Sequence, residues 1–382
     1  MLCNLSDIQF VDAYVVDGAL PWFTTDLTTC SICWLLHSIP TRNPTGSPTP
    51  QPTLAPGPWQ LLRPKIVGEA AGDRCGEEVA LSTDGNVLAV TSATHSANGR
   101  NSGRVRVFVW TGSQWNPRGQ PLDGANVADQ FGIGMALSGN GNTLAVGARL
   151  NDDVADDAGQ LRVYNYNAVS DVWVQFGVPI NGEERFDYFG FQVAISDDGS
   201  VVATGSSSSD RYGPNFGFVR VYEQQGGELV QRGQDIAGMA ENDSIGTTVA
   251  LSADGLILAV GGRNTETVGV VRTYTYNTFT QTWTQLGQDI VGQEINSRLG
   301  NHVALSADGS IMAIGEHDFN DSEGQVRVYE YNNATNTWVP RGDFLSGEDD
   351  SDNGDFGFAI ALSDDGNILA VGERGHDGNV SD

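Results

Sequence analysis

The chain has little lysine and no long apolar run. Among its 382 residues the only lysine is Lys65, and 48 Asp and Glu stand against 20 Lys and Arg, for a formal net charge of −28. A chain this acidic repels phosphate backbones and anionic lipid, so its composition disfavours binding to nucleic acid or to a membrane surface. No apolar stretch approaches the roughly 20 residues that cross a bilayer, so we expect no membrane span.

Cysteines and catalytic signatures are also sparse. The four cysteines are Cys3, Cys30, Cys33 and Cys75, and a single C-x-x-C without a second pair is weak evidence for a metal or redox site. The chain contains no G-x-S-x-G, no H-E-x-x-H and no phosphate-binding loop. The sequence therefore indicates no catalytic residue, and a non-enzymatic role is the first interpretation.

The signals for cellular location point in different directions. The N-terminal residues lack the basic and apolar regions of a signal peptide. Asn-x-Ser/Thr sequons, the glycosylation acceptors of secreted proteins, occur at Asn4, Asn242, Asn320, Asn333 and Asn379. On the sequons we predict an extracellular or cell-surface protein.

Glycine, in contrast, is abundant and marks a repeat. Six segments of the type VALSADGSIMAI place a Ser-x-x-Gly turn between two apolar stretches. The turn glycines, 54 to 58 residues apart, are Gly85, Gly141, Gly199, Gly255, Gly309 and Gly366. A nearly fixed period of this size indicates one supersecondary unit that is stacked repeatedly.

One repeat, residues 303–345, is typical of four strands joined by turns. The alternation in QVRVYEY indicates a strand, and Asp-Gly turns supply the positive φ that a tight hairpin needs. No segment of the repeats has a helical pattern. Radial repetition of four-stranded antiparallel sheets predicts an all-β fold, a β-propeller with five complete blades and one split, incomplete blade.

The repeats divide the chain into three parts. Residues 1–40 have no repeat and are expected to be poorly ordered, residues 41–58 form a Pro/Thr-rich linker, and residues 59–382 form the propeller. Trp59 opens a lone fourth strand and the sixth repeat ends after two strands, so both are assigned to the split blade. The repeats do not supply the third strand of that blade, and residues 8–16 are an alternative source for it.

Two residue types recur at fixed places in the strands. A tryptophan occurs in the fourth strand and an arginine in the third, at Trp59, Trp115, Trp173, Trp283 and Trp338, and at Arg106, Arg162, Arg220, Arg272 and Arg327. Aromatic rings and arginine stems suit the interface between neighbouring blades, so we predict a structural role for both. A ring of arginines that binds a ligand is the alternative.

A D-x-Φ-G motif precedes the first strand of several repeats, at residues 129–132, 187–190 and 243–246. With periods of 54 to 58 residues, the repeat resembles the FG-GAP repeat of integrin α-subunit propellers over residues 59–382, and a WD-repeat likeness is the second choice. The resemblance implies an adhesion or recognition module. The calcium loop that FG-GAP repeats often carry is shortened here to Ser-x-Asp-Gly, which offers too few oxygen ligands, so those calcium sites are not carried over.

Acidic residues concentrate in the loops that a propeller presents on one face. We predict an acidic rim that binds a partner through Asp152, Asp153, Asp156, Asp157, Glu183, Glu184, Asp318, Asp321 and Glu323. Acidity for solubility alone is the alternative. No cofactor is expected except calcium, for which carboxylates around Gly354 suggest a site at Asp350, Asp352 and Asp355.

The predicted function is thus a non-catalytic propeller module that recognises a protein or a glycan. Two alternatives stay open. One is a propeller hydrolase or lyase that acts on a polysaccharide, which a pair of carboxylates in a central pocket would favour. The other is an intracellular assembly scaffold of the WD type.

Overall fold

The structure, a computed structural model, describes residues 11–12, 63–263, 268–347 and 355–373. This part of the chain is almost entirely β-structure, with one short helix, α1 (Phe319–Ser322). Its first strand is β1 (Val11–Asp12). No helix in the described ranges is long and apolar enough to cross a membrane.

Five complete blades follow one another along the chain. Blade one contains β2 (Val79–Leu81), β3 (Val87–Ser92), β4 (Arg104–Trp110), β5 (Trp115–Pro117) and β6 (Leu122–Asp123). Blade two contains β7 (Phe131–Leu137), β8 (Thr143–Ala148), β9 (Gln160–Asn167) and β10 (Val172–Asn181). Blade three contains β11 (Val193–Ile195), β12 (Val201–Ser206), β13 (Phe218–Gln225), β14 (Glu228–Gln231) and β15 (Ile236–Ala237).

Blades four and five repeat the arrangement. Blade four contains β16 (Ile245–Leu251), β17 (Ile257–Gly262), β18 (Val270–Asn277), β19 (Thr282–Gln285) and β20 (Ile290–Val291). Blade five contains β21 (His302–Leu305), β22 (Ile311–Glu316), β23 (Gln325–Asn332), β24 (Thr337–Pro340) and β25 (Leu345–Ser346). In every complete blade the first four strands are antiparallel neighbours in chain order. These sheets confirm the predicted β-propeller.

The sixth blade is split between the two ends of the chain. It contains β26 (Ala359–Leu362), β27 (Leu369–Gly372) and β1, which pairs with β27 through Val11 opposite Gly372. Part of the segment 8–16 therefore occupies the third-strand position of this blade. Trp59 and the linker 41–58 lie outside the described residues.

The Ser-x-Asp-Gly turn folds because its side chains satisfy its own backbone. In blade five the Ser306 hydroxyl donates to Asp308 at 2.7 Å and accepts from the backbone N–H of Ile311 at 2.9 Å. Gly309 closes the turn with a φ of 69°, where a side chain would be strained. The second strand that follows is fully buried.

The same turns join successive blades near the propeller axis. A backbone N–H in each turn donates to a turn carbonyl of the next blade: Thr83 to Gly139, Asn140 to Asp197, Asp197 to Ala253, Ala253 to Ala307, and Ala307 to Asp364. The first strands of successive blades also contact one another, so they surround the axis. We call this end of the first strands the turn end.

The recurrent tryptophans lie between blades. Trp283 is 3% exposed, and its indole N–H donates to the Arg232 carbonyl of the preceding blade at 2.8 Å. Trp173 and Trp338 are equally buried and make corresponding bonds, whereas Trp115 is half-buried and packs edge-on against Trp110.

Four of the five third-strand arginines are held by carboxylates. Arg220 pairs with Asp235 at 2.8 Å, and Arg106, Arg272 and Arg327 also make ion pairs; Arg162 instead donates to Gln160. The structure thus places these arginines in local networks within the blades.

A second set of arginines links the fourth strands of blades one and three to the next blade. Arg118 lies 4.1 Å above the ring of Tyr166, and Arg232 lies 4.2 Å above Tyr276. Arg63, which precedes blade one, lies 4.7 Å from the ring centroid of Trp110 in the same way, although residues 63–68 form no strand. Arg63 thus contacts blade one as the end of a preceding fourth strand would.

Candidate functional site

The D-x-Φ-G motif is a structural device that starts the first strand of a blade. Asp129 and Asp187 are each 2% exposed. Asp187 accepts backbone N–H bonds from Glu183 and Glu184 at 3.1 and 2.9 Å, and Asp129 accepts one from Asn126 at 2.9 Å. The motif therefore fixes the loop that enters each blade and leaves little of its own carboxylate for a ligand.

The two residues after the motif's glycine differ in every repeat. They are Glu77 and Glu78, Ile133 and Gly134, Phe191 and Gln192, Thr247 and Thr248, Asn301 and His302, and Phe358 and Ala359. Equivalent backbone bonds show that the places correspond, because the N–H of Thr91 donates to the Glu78 carbonyl as that of Gly205 does to Gln192. These residues begin the first strands, opposite the turn end.

Three further side chains leave the second strands at this same level: Arg149 after β8, Arg263 after β17 and His317 after β22. Together with the twelve residues just named, they form what we call the channel mouth. It is the end of the first strands opposite the turn end, where each blade contributes a different pair of residues.

An acid pair lies in blade one. Glu78 is half-buried, and its backbone N–H donates to the Thr91 hydroxyl at 2.9 Å. Burial, and secondarily the charge of Glu77, raises the pKa of Glu78 to about 8. Burial also raises the pKa of Glu77, against the opposing charges of Arg74 and Arg149. Glu78 therefore holds its proton at pH 7, beside a second carboxyl group whose pKa is also raised.

Arg149 lies beside this acid pair. Its guanidinium carbon is 5.4 Å from the ring centroid of Phe191, and its Nε donates to the Gln130 side chain at 2.9 Å. Burial lowers the pKa of Arg149, and the charge of Glu77 opposes that shift. Arg149 thus interacts electrostatically with blade one and by ring contact with blade three.

An imidazole pair lies on blade five. The rings of His302 and His317 have their centroids 5.6 and 5.5 Å from that of Phe358. Burial, followed by the charge of His317, lowers the pKa of His302 to about 4, so His302 is neutral at pH 7. His317 Nε2 lies 3.1 Å from Asp318 Oδ1.

Arg263 completes the polar part of the mouth. Its backbone N–H donates to the Thr247 hydroxyl at 3.5 Å, and its guanidinium donates to the Asn301 side chain at 3.4 Å. Burial, and then the charge of Arg298, lowers the pKa of Arg263. Two arginines are thus held close enough to repel each other.

The residues of the acidic rim are spread over separate loops, where they make local hydrogen bonds and ion pairs. Asp152 accepts the N–H of Asp157 at 2.6 Å, and Asp153 accepts from Gln160 at 2.9 Å. Asp156 pairs with Arg185 at 2.9 Å on the surface. Asp157 has its pKa raised by burial and then by the charges of Asp152 and Asp156.

The other rim residues lie on blades three and five. Glu183 pairs with Arg220 at 2.6 Å, Glu184 donates its backbone N–H to Asp187, and Asp318 pairs with Arg298 at 2.7 Å. Glu323 accepts from Asn320, and Asp321 lies in α1. No single cluster collects the nine carboxylates, and the rim remains a predicted partner surface.

The predicted calcium site falls mostly outside the described residues. Asp350 and Asp352 are in the gap 348–354, and Asp355 follows it with a φ of 52°. Within the described ranges, no group of three or more His, Cys, Asp and Glu is arranged to hold a metal ion.

Sequence reasoning did not single out Glu77, Glu78, Arg149 and Arg263. It searched for recurrent residues and dense acidic loops. These residues instead occupy positions that are present in every repeat but carry different residue types. That variation was the available signal, because a position needed only for the fold can keep one residue type in all blades.

Comparisons with known proteins locate the chain among propellers of low identity. No protein-family model and no curated protein sequence matches it. Among solved structures, a protein of Bacteroides fragilis described as a candidate 6-phosphogluconolactonase is 14% identical, with a TM-score of 0.48 over 70% of each chain. U3-55K is 14% identical, with a TM-score of 0.48 over 80% of this chain and 75% of its own.

A third similar structure is the periplasmic gluconolactonase PpgL of Pseudomonas aeruginosa. It is 14% identical, with a TM-score of 0.39 over 71% of this chain and 86% of its own. Likenesses this low carry no information on the substrate or site residues of this chain.

The prediction of a non-catalytic recognition module is wrong on these comparisons. Three of the similar structures, two from Bacteroides and one from Pseudomonas, carry the names of lactonases and not of recognition modules. The reaction has to be argued from the channel mouth of this chain itself.

Proposed function

We propose that the chain is a propeller hydrolase or lyase that acts on a polysaccharide at the channel mouth. The observation that carries this proposal is the acid pair Glu77–Glu78 immediately before the first strand of blade one, with one carboxyl group neutral at pH 7 and its pKa raised in part by the charge of the other. Acid–base cleavage of a glycosidic bond uses one carboxyl group as the acid and a second as the base or nucleophile.

In hydrolysis, Glu78 is the general acid. Its carboxyl proton goes to the glycosidic oxygen as the bond between that oxygen and the anomeric carbon breaks. Water adds to the anomeric carbon, and the Glu77 carboxylate accepts the proton that the water loses. Both carboxyl groups then return to their starting states by exchange with solvent.

The remaining side chains of the mouth suit a sugar substrate. Phe191 and Phe358 offer aromatic rings to sugar rings, whereas Gln192 and Asn301 offer hydrogen bonds to hydroxyl groups. Because His302 is neutral, one of its ring nitrogens can accept a hydrogen bond from a sugar hydroxyl.

The type of repeat and the location also remain proposals. We assign the blades to an FG-GAP-like type on their D-x-Φ-G lead and their spacing, and we place the protein outside the cell on its sequons. An extracellular position would give the enzyme access to polysaccharides.

Turnover of a polysaccharide panel tests the proposal. Neutral and acidic polysaccharides are incubated with the full chain, and cleavage is followed by new reducing ends, with ultraviolet absorbance of unsaturated ends separating elimination from hydrolysis. Because Glu78 supplies the proton, Glu78→Gln should lower kcat by about 10²–10⁴-fold. Activity of the unaltered chain should fall as pH rises past about 8, where Glu78 loses its proton.

The matched control is Glu228→Gln, which changes an exposed carboxylate on β14, far along the blade from the mouth. It should leave kcat unchanged. Absence of cleavage across the whole panel, or full activity in Glu78→Gln, would overturn the proposal.

A further inference from the structure

We propose that Phe186 and Tyr188 form an aromatic platform that binds the sugar rings of a neutral glycan chain beside the channel mouth. Both residues lie in the loop 183–189, which enters blade three. The platform holds sugar units beyond those at the acid pair. This inference names the substrate class, a neutral polysaccharide, and therefore rests on the proposed function, but its evidence comes from a separate set of residues.

Phe186 has a backbone conformation that a bulky side chain rarely adopts. Its φ is 65°, in the left-handed region that favours glycine and asparagine. The equivalent residues of the other complete blades are Gly72, Ala128, Asn242 and Asn296, with φ values between 61° and 87°. Among the five complete blades, only blade three has a large side chain at this strained place.

The fold does not require an aromatic ring at this position. The backbone N–H of Phe186 donates to the Asp156 carbonyl of the preceding blade at 3.0 Å. Asn242 donates its N–H to the Pro214 carbonyl of the preceding blade at the same distance. The loop therefore makes its backbone bond with or without the ring. Backbone strain of this kind is typical of functional positions, so we assign the ring to a ligand.

The ring of Phe186 lies on the surface and is restrained there. It is 42% exposed and joins none of the apolar clusters of the described core. The Arg185 guanidinium carbon lies 4.5 Å from its centroid, and Arg185 pairs with Asp156 at 2.9 Å. The Tyr188 ring lies 6.1 Å away between centroids, at an interplanar angle of 34°. Rings restrained in this way lose little freedom when they bind a ligand.

Tyr188 adds a polar group and joins the platform to the channel mouth. Its backbone carbonyl accepts the N–H of Phe191, a residue of the mouth, at 3.1 Å. Within the described ranges the structure gives the Tyr188 hydroxyl no hydrogen-bond partner, whereas the nearby Tyr212 hydroxyl donates to Asp235 at 2.8 Å. The Tyr188 hydroxyl is therefore available to a sugar hydroxyl.

Exposed apolar side chains in the loops that enter other blades differ in kind. Val127, Met239 and Ile295 are exposed, but they are not aromatic and none has a positive φ. Single apolar side chains of this sort are normal on a protein surface. A neighbouring pair of aromatic residues that both have positive φ occurs, among the described blades, only in the loop that enters blade three.

The surroundings of the platform favour a neutral glycan. Pyranose rings present C–H groups on their faces, and these groups pack against the electron-rich face of an aromatic ring. The chain has a net charge of −28, and the exposed Glu184 of the acidic rim lies in the same loop as the platform. Long-range repulsion therefore disfavours an anionic glycan, whereas a neutral chain is not affected.

Calorimetry with defined hexasaccharides tests the inference. The probes are cellohexaose, laminarihexaose, xylohexaose and mannohexaose, with hexagalacturonate as the anionic comparison. Binding is measured with Glu78→Gln so that cleavage does not interfere. At least one neutral hexasaccharide should bind, and hexagalacturonate should bind more weakly. Adding Phe186→Asn should weaken the neutral ligand by about 10-fold or more, whereas Phe186→Tyr keeps the ring and should retain binding.

Unfolding in urea gives a second readout that a purely structural role would not produce. Phe186→Asn introduces the residue type that blades four and five have at this place, so it relieves the positive-φ strain. It should therefore raise the urea midpoint while it weakens binding. A lower midpoint would show that the ring serves the fold, and it would overturn the inference.

Phe279→Asn is the matched control. Phe279 is 94% exposed in the turn between β18 and β19, and its φ is not positive. The same substitution there should leave both hexasaccharide binding and the urea midpoint unchanged. The inference is also wrong if no neutral hexasaccharide binds, if hexagalacturonate binds as tightly, if Phe186→Asn binds as its parent does, or if Phe279→Asn weakens binding equally.

The two proposals fail in different ways. If a neutral hexasaccharide binds through Phe186 but no polysaccharide is cleaved with dependence on Glu78, the platform stands and the proposed reaction is wrong. If cleavage depends on Glu78 while Phe186→Asn changes neither KM nor hexasaccharide binding, the reaction stands and the platform is wrong.

Discussion

The two ends of the first strands differ in how much the residue type varies from blade to blade. At the turn end, five of the six repeats carry Ser-x-Asp-Gly, and blade two replaces the aspartate with Asn140, which accepts the Ser138 hydroxyl at 2.9 Å in the same way. At the channel mouth, no two repeats carry the same pair of residues. The residue types at the turn end are thus nearly the same in all blades, whereas the channel mouth has a different pair of residues in each blade.

This difference follows from which residues fix the backbone conformation at each end. The turn depends on its own side chains for its hydrogen bonds, so a change of residue type breaks the turn. At the mouth, buried residues such as Asp187 and a glycine after them hold the backbone, so the next two side chains are free to vary. The propeller thus keeps residue types nearly constant at the turn end and leaves the two positions at the mouth variable.

Gly309→Ala at the turn end should give the largest loss of stability. A Cβ there would lie 2.8 Å from Ile257 Cβ in blade four, at a φ of 69°. Positive φ and overpacking together should lower the free energy of unfolding by about 2–4 kcal/mol, measured by urea titration.

Gly112→Ala is its control, because Gly112 has a φ of 91° with no atom within 4 Å of the added Cβ. It should cost only about 1 kcal/mol, the contribution of backbone conformation alone. Equal losses in the two variants would show that the turn end is not closely packed between blades.

Glu78→Gln at the mouth should instead increase stability, and only at high pH. Glu78 has a pKa of about 8 in the folded chain against 4.5 as its ordinary value, so between these values the folded state holds a proton that the unfolded state has lost. Stability therefore falls as pH rises through that window. The variant should be more stable than the parent by roughly 2 kcal/mol at pH 8, allowing for solvent access to the side chain.

The measurement is urea unfolding of both chains at pH 4.5 and pH 8, where all other titrating groups are shared. Near pH 4.5 the two chains should differ little. A difference that is the same at both pH values would mean that Glu78 is charged in the folded protein and is not a general acid.

Asp156→Asn on the acidic rim should have the smallest effect. Its ion pair with Arg185 joins side chains that are 69% and 63% exposed. Exposed pairs contribute little, so the change in unfolding free energy should stay within about 0.5 kcal/mol, by the same titration. A loss above that value would place the rim among the structural parts of the blade.

The sequence predicts the turn end of this fold better than the mouth. The repeated Ser, Asp and Gly encode a local turn, and their spacing gives the number of blades, because each residue acts through neighbours in the chain. Burial of Trp173, Trp283 and Trp338 follows equally from the repeat, since an apolar side chain at a fixed place in each blade must pack against the next.

The mouth could not be predicted in this way because its properties arise between blades. Glu78 is an ordinary glutamate in the sequence, and its raised pKa depends first on burial in the folded chain. The lowered pKa of Arg149 and of Arg263 likewise comes first from burial in the folded chain. The acidic loops drew attention by their density, yet Asp152 and Asp187 are used within their own loops.

The blade-to-blade hydrogen bonds at the turn end also bear on how the chain folds during synthesis. Each of them runs forward: the N–H of Thr83 needs the carbonyl of Gly139, and that of Ala307 needs the carbonyl of Asp364. On a ribosome, a donor in one blade emerges before its acceptor exists. Each turn therefore forms its hydrogen bond to the next blade only after that blade has been synthesised.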